Sequence, residues 1–295
     1  MRTFILSLFL FVVTSSSAQD GLKIYISADM EGLTGVVTGE QLGPSGFEYA
    51  RFRQIMTDEV KATIEAAREA GATEFLVSDS HGNGQNLLIE QLPDDVMIVR
   101  AWPRALGMMH GIDETFDGAI FIGYHASTSN MEGVRAHTNS SANVTELKLN
   151  GVQMTEGAWN AAVAAHFGVP VIMISGGDAA VAEVQSVVGD IEGAVVKFNN
   201  GFHSATTLTP SAGLEVIRAA TKRAIDRIDE FNPYEIDGPP VIELSLKNYL
   251  PVEYLAYLRD VERTASHTIR YEATDMVDAS KFLRFVLGYN VSITP

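Results

Sequence analysis

L-K-I-Y-I-S, residues 22–27, is a short apolar run that stops at polar residues. A Gly-rich loop leads to about Phe47. The stretch E-Y-A-R-F-R-Q-I-M-T-D-E-V-K-A-T-I-E-A-A-R-E-A-G then repeats apolar side chains at helical spacing, through Phe52, Ile55, Met56, Val60 and Ile64, and Gly71 closes it. A second apolar run, E-F-L-V-S-D-S-H, follows at once. Strand, helix, strand in this order predicts a parallel sheet with helices on its faces.

The alternation continues down the chain. Strands are expected at Val96–Arg100, Gly118–Tyr124, Thr145–Leu149 and Val169–Ser175, with an Asn150-Gly151 turn after the third. Helices are expected at Glu156–Phe167, Asp178–Val188 and Pro210–Phe231. After the break N-P-Y-E-I-D-G-P-P come a strand at Val241–Leu246, a helix at Val252–Arg259, a strand at Thr268–Tyr271 and a helix at Ala273–Leu287. The fold class is therefore α/β, a mostly parallel sheet flanked by helices. We expect a metal-binding catalytic domain over residues 19–205 and a smaller C-terminal α/β subdomain over 206–295.

The first residues stand apart. M-R-T-F-I-L-S-L-F-L-F-V-V carries one positive charge and an apolar stretch, and small residues follow at Ser16-Ser17-Ala18. We read Met1–Ala18 as a signal peptide cleaved before Gln19, so the chain is expected to be exported, periplasmic or secreted. The net charge of −16 disfavours nucleic acid and anionic membrane as partners. There is no cysteine, which excludes a thiolate nucleophile and sulfur-ligated zinc. Any metal must be held by His and carboxylate.

The expected strand ends carry chemistry. The first ends in S-A-D-M-E-G with Asp29 and Glu31, the next in Asp79-Ser80-His81, and a later one in Tyr124-His125. Ligands of open parallel sheets bind beyond the carboxyl ends of the strands, so these side chains converge on one crevice. Strand periodicity points Asp29 and Glu31 the same way while Met30 turns aside. Two adjacent carboxylates repel unless a proton or a cation lies between them, and two imidazoles nearby favour the cation. The set suits zinc, and also manganese or non-haem iron. Glu156 is a candidate third carboxylate, which would allow two metals ~3.5–4 Å apart. Its place at a helix N-terminus also explains a glutamate by the dipole alone. Asp79 reads either as a turn former or as the acceptor that orients His81. His137, in G-V-R-A-H-T, reads as a surface residue or as an acid, base or oxyanion donor near the crevice. Trp102 reads as packing, and Met108-Met109 as packing or pocket lining.

Taken in order, S-A-D-M-E-G, D-S-H, F-I-G-Y-H-A, G-V-R-A-H and the Glu-Gly that opens the helix after the turn resemble the signature of the zinc-dependent D-aminopeptidases, the DppA-like family. The resemblance runs from Leu22 to the last helix. It implies that Asp29, Glu31, His81, His125 and Glu156 ligate two zinc ions and that His137 is catalytic. It also implies cleavage of the N-terminal residue from short D-amino-acid peptides such as D-Ala-D-Ala. The partners it implies are a short peptide and other copies of the chain, in a homo-oligomeric decamer. Another amidohydrolase or a phosphoesterase on the same metals, or an exported metal- or solute-binding protein, fits the same ligands. A phosphatase would add cations near the metals, and Arg135 is the only basic residue close to the later motifs.

Overall fold

A computed structural model describes residues 21–289. The expected signal peptide and its cleavage point lie outside the described residues. Strand β1 (Leu22–Ala28) leads through a long loop into α1 (Tyr49–Glu69), and β2 (Ala72–Asp79) returns parallel beside β1. Then follow β3 (Met97–Val99), β4 (Gly118–Tyr124), β5 (Val144–Leu149), β6 (Val152–Gln153), α2 (Glu156–His166), β7 (Val171–Gly177) and α3 (Asp178–Val188). The chain continues through β8 (Glu192–Gly201), β9 (Ser204–Thr207), α4 (Pro210–Asp226), β10 (Val241–Leu246), α5 (Tyr249–Leu255), β11 (Val261–Ala265), β12 (Thr268–Glu272) and α6 (Met276–Gly288).

The main sheet has the order β3-β2-β1-β4-β7-β8-β9, parallel apart from the β8–β9 hairpin. The order of strands reverses its direction of growth between β1 and β4, which opens a crevice beyond their carboxyl ends. Side chains alternate across the sheet. Ile24, Ile26, Ile120 and Ile122 bury one face under Phe52, Met56 and Ile64 of α1 and Ile217 of α4. Tyr25, Phe121 and Ile174 bury the other with α2 and α6. The second sheet, β11-β12-β10-β5-β6, is antiparallel and contributes Leu147, Leu244 and Ile269 to that second core.

The two sheets do not divide the chain at residue 205. Hairpin β5–β6 lies in the sheet completed by the C-terminal strands, and α4 packs on the main sheet with α1. Strands β8, β9 and β11 were not expected. In β8 a lysine, Lys197, and the dipeptide Asn199-Asn200 interrupt the apolar run that marks the other central strands.

Candidate metal centre and catalytic cleft

Strand β1 stops at Ala28, so Asp29 and Glu31 sit in turn backbone just beyond it. The strand alternation expected for this pair is therefore not what aligns them. Main-chain bonds to β4 do: Asp29 N–H donates to the Ile122 carbonyl at 2.8 Å and Gly32 N–H to the Gly123 carbonyl at 2.7 Å. The approach is so close that a Cβ on Gly32 would lie 2.0 Å from the Tyr124 oxygen, and one on Gly123 would lie 2.3 Å from the Asp29 oxygen. The glycines of E-G and I-G-Y permit this crossing.

Asp29, Glu31, His81, His125 and Glu156 are all buried around one point, with His137 at its edge. His81 Nδ1 lies 3.1 Å from Asp29 Oδ1 and 2.9 Å from Glu31 Oε2. His125 Nε2 lies 3.3 Å from Asp29 Oδ2 and 3.3 Å from Glu156 Oε1. His137 Nε2 is 3.6 Å from Glu156 Oε1, and its ring stacks on His125 with centroids 4.0 Å apart. Glu156 opens α2 behind the cap formed by Thr155, whose hydroxyl accepts the Ala158 N–H, and Asn139 N–H donates to its Oε1 at 2.7 Å.

The other nitrogen of each ring decides the chemistry. His81 Nε2 faces the Leu42 carbonyl at 2.7 Å, His125 Nδ1 the Ala126 carbonyl at 3.1 Å and His137 Nδ1 the Arg135 carbonyl at 2.9 Å. A carbonyl only accepts, so each of these nitrogens carries the proton. In the neutral ring the remaining nitrogen presents a lone pair to a carboxylate oxygen. Asp29 Oδ2 and His125 Nε2 are buried with no hydrogen-bond partner. Two lone pairs facing each other require a positive charge between them. A proton supplies one: burial disfavours charge on His125, but Glu156 and Asp29 outweigh it and hold its pKa well above the usual imidazole range. Burial and the neighbouring Glu31 carboxylate raise the Asp29 pKa. A divalent cation serves better because it draws on all the donors at once. The donors form two overlapping triads, His125–His137–Glu156 and Asp29–Glu31–His125, whose ligating atoms lie within 4.8 Å of one another in each. The residues present fit a carboxylate–imidazole metal centre.

Asp79 makes no hydrogen bond to the His81 ring and reaches that residue only through Asn86, whose side-chain amide also donates to the His81 carbonyl at 2.7 Å. Asp79 Oδ2 accepts the Asn86 and Leu87 N–H groups at 2.6 and 2.8 Å, and its Oδ1 accepts the Asn86 side-chain amide at 2.7 Å. It shapes the loop that follows His81, the turn-forming reading. The Leu42 carbonyl holds the ring in its place. None of His110, His166, His203 and His267 lines the cleft.

The cleft over the centre has a volume of about 360 Å³ and is walled by Trp102, Met108, Asn139 and Arg284 beside the ligand cluster. Two functional residues escaped sequence reasoning. Arg284 lies within the amphipathic helix α6, with nothing in the neighbouring residues to mark it. Lys197 is buried and donates to the carbonyls of Glu31, Leu33 and Val36, clamping the loop that carries Glu31. Burial pulls its pKa down to about 7, against the pull of Glu59, Glu31 and Asp29. Replacing Lys197 by Met strands the Glu31 and Val36 carbonyls without donors. At about 1–3 kcal/mol each, the expected loss of stability is about 2–6 kcal/mol, with weakened metal retention. Urea unfolding and metal analysis check it, and wild-type values in both would remove the clamp.

An open-sided metal centre at the switch point of a parallel α/β sheet, with a free imidazole at its edge, defines a metallohydrolase. The comparisons narrow the class. A family model described as D-aminopeptidase, peptidase family M55, matches residues 22–285. A D-aminopeptidase of Bacillus subtilis (strain 168) is 31% identical over 259 residues, spanning 88% of this chain and 94% of the relative. The solved structure of the Zn-dependent D-aminopeptidase DppA from Bacillus subtilis, described as a self-compartmentalizing protease, superposes with a TM-score of 0.87 at 30% identity, covering 92% of this chain and all of that one. The chain belongs to the D-aminopeptidase family of metallopeptidases.

Proposed function

We propose that this chain removes the N-terminal residue from short D-amino-acid peptides, D-Ala-D-Ala among them, at two zinc ions held by Asp29, Glu31, His81, His125 and Glu156. The observation that carries this is the pair of buried, partnerless atoms, Asp29 Oδ2 and His125 Nε2, inside a cluster whose imidazole protons are all directed at backbone carbonyls. When bound, the zinc would polarise the scissile carbonyl and bring a water to a pKa near neutrality. The protein's own groups do the rest. Asp29 spans the two halves of the cluster, since its oxygens face different imidazoles. His137 presents Nε2 to the cleft; its Nδ1 proton is held by the Arg135 carbonyl, so Nε2 first takes up a proton, as it can from the attacking water, before it protonates the leaving amine or stabilises the tetrahedral oxyanion. The cleft is at the small end of ligand sites, which suits a peptide of few residues.

We propose further that the chain acts outside the cytoplasm after loss of residues 1–18, and that it works as a homo-oligomer, a decamer by the family resemblance. The description of the Bacillus structure as self-compartmentalizing supports assembly of copies.

The test is hydrolysis of D-Ala-D-Ala and L-Ala-L-Ala by purified protein, with metal measured on the same sample. Cleavage of the D-peptide in preference, at about two zinc per chain and lost on chelation, is the expected result. A metal-loaded protein that cleaves neither peptide refutes the peptidase assignment.

A further inference from the structure

Among the described residues that line the cleft, Arg284 is the only lysine or arginine. It comes from α6, far in sequence from every metal-site motif. Its guanidinium lies 4.8 Å from the Trp102 ring centroid and makes no hydrogen bond or ion pair among the described residues. Arg104 shows the contrast. It also packs on Trp102, at 4.1 Å, but its donors are committed to the Ala101 carbonyl, the Ser78 hydroxyl and the Asp79 carbonyl. Trp102 is itself pinned, its indole N–H donating to the Gly82 carbonyl at 2.7 Å. The stem of Arg284 passes over Gly107, where a Cβ would come within 3.3 Å of its Cδ. Arg284 is thus a held, half-buried cation whose hydrogen-bonding edge is uncommitted, facing the same space as the carboxylate–imidazole cluster.

A short peptide carries an amine at one end and a carboxylate at the other. In a chain of net charge −16, that carboxylate meets repulsion unless a local cation receives it. We propose that Arg284 binds the C-terminal carboxylate of the peptide, so that the cleft measures substrate length between the metal centre and this guanidinium. The planar fork of arginine matches a carboxylate with two parallel hydrogen bonds. The inference rests on the peptide reading above and adds to it a preference for a free C-terminus close to the scissile bond.

The experiment uses the zinc-loaded full chain. Calorimetry at low temperature reads binding of D-Ala-D-Ala and of its C-terminal amide, and hydrolysis is followed separately. The acid is expected to bind at least about tenfold tighter than the amide, with the difference shrinking as salt is added. Arg284→Met keeps the stem over Gly107 and is expected to bring acid and amide within about twofold, at unchanged zinc content. Arg284→Lys restores part of the preference, because it returns the charge without the fork. Equal binding of acid and amide by the wild type, no measurable binding of the acid, or a preference that survives in Arg284→Met overturns the proposal. So does tighter binding of a phosphomonoester than of the peptide acid. The wild-type pair and its salt dependence decide the matter even if a variant folds poorly. Binding of the acid in preference, without cleavage, would remove the peptidase reading and leave the role of Arg284 standing.

Discussion

Asp29→Asn is expected to empty the metal centre and to lower kcat/KM for D-peptides at least about 10³-fold. Asp29 is the one side chain whose two oxygens face different imidazoles, His81 at 3.1 Å and His125 at 3.3 Å. An amide nitrogen in place of either oxygen turns an acceptor into a donor and aims it at a histidine lone pair or at a metal. It also removes one charge from the set that offsets the cation. Both halves of the centre should suffer, so zinc per chain should fall below one rather than from two to one. Metal analysis after dialysis measures this directly. Retention of full metal by the variant would mean that Asp29 is a bystander.

The second large effect belongs to His137, and it should take the opposite form. His137→Gln is expected to keep its zinc and lose about 10²–10⁴ in kcat. The ring is the most exposed of the three, 15% by side chain against 9% for His81 and 1% for His125. Its Nε2 stands 3.6 Å from Glu156 Oε1, farther than any other cluster contact, while Nδ1 is held by the Arg135 carbonyl. That places beside the cluster, instead of within it, a nitrogen that can accept a proton and pass it on. The measurement is kcat together with zinc content. If metal leaves with activity, His137 is a ligand in the His125–His137–Glu156 triad and its role in proton transfer falls.

The residues of the site that could be read in advance share one property: they end apolar runs. Asp29, His81 and His125 each follow a strand that carries a short apolar run, and the order of those strands then brings their ends together. Glu156 was ambiguous because a helix N-terminus welcomes any anion, and only the approach of His125 to 3.3 Å removes the ambiguity. Lys197 was invisible for the converse reason. A lysine in a strand argues for exposure, and nothing local reveals that three carbonyls of a distant loop await it. Arg284 was hidden by helical periodicity, since an arginine between Leu283 and Phe285 is indistinguishable from ordinary surface charge until Trp102 is beside it. The exchange of partners at His81 belongs to loop geometry, because the Leu42 carbonyl is reached only through the fold.

Glu156 opens α2 just after the hairpin β5–β6, which belongs to the second sheet, while Asp29, Glu31, His81 and His125 follow strands of the first. That second sheet is completed only by strands from the last fifth of the chain. A chain clipped before β10 therefore keeps all five side chains, and α2 keeps its seat on β4 through Asn160 and Tyr124, but the hairpin just before Glu156 loses its partner in the second sheet. Activity is thus tied to the integrity of a sheet that contributes no side chain of its own to the centre.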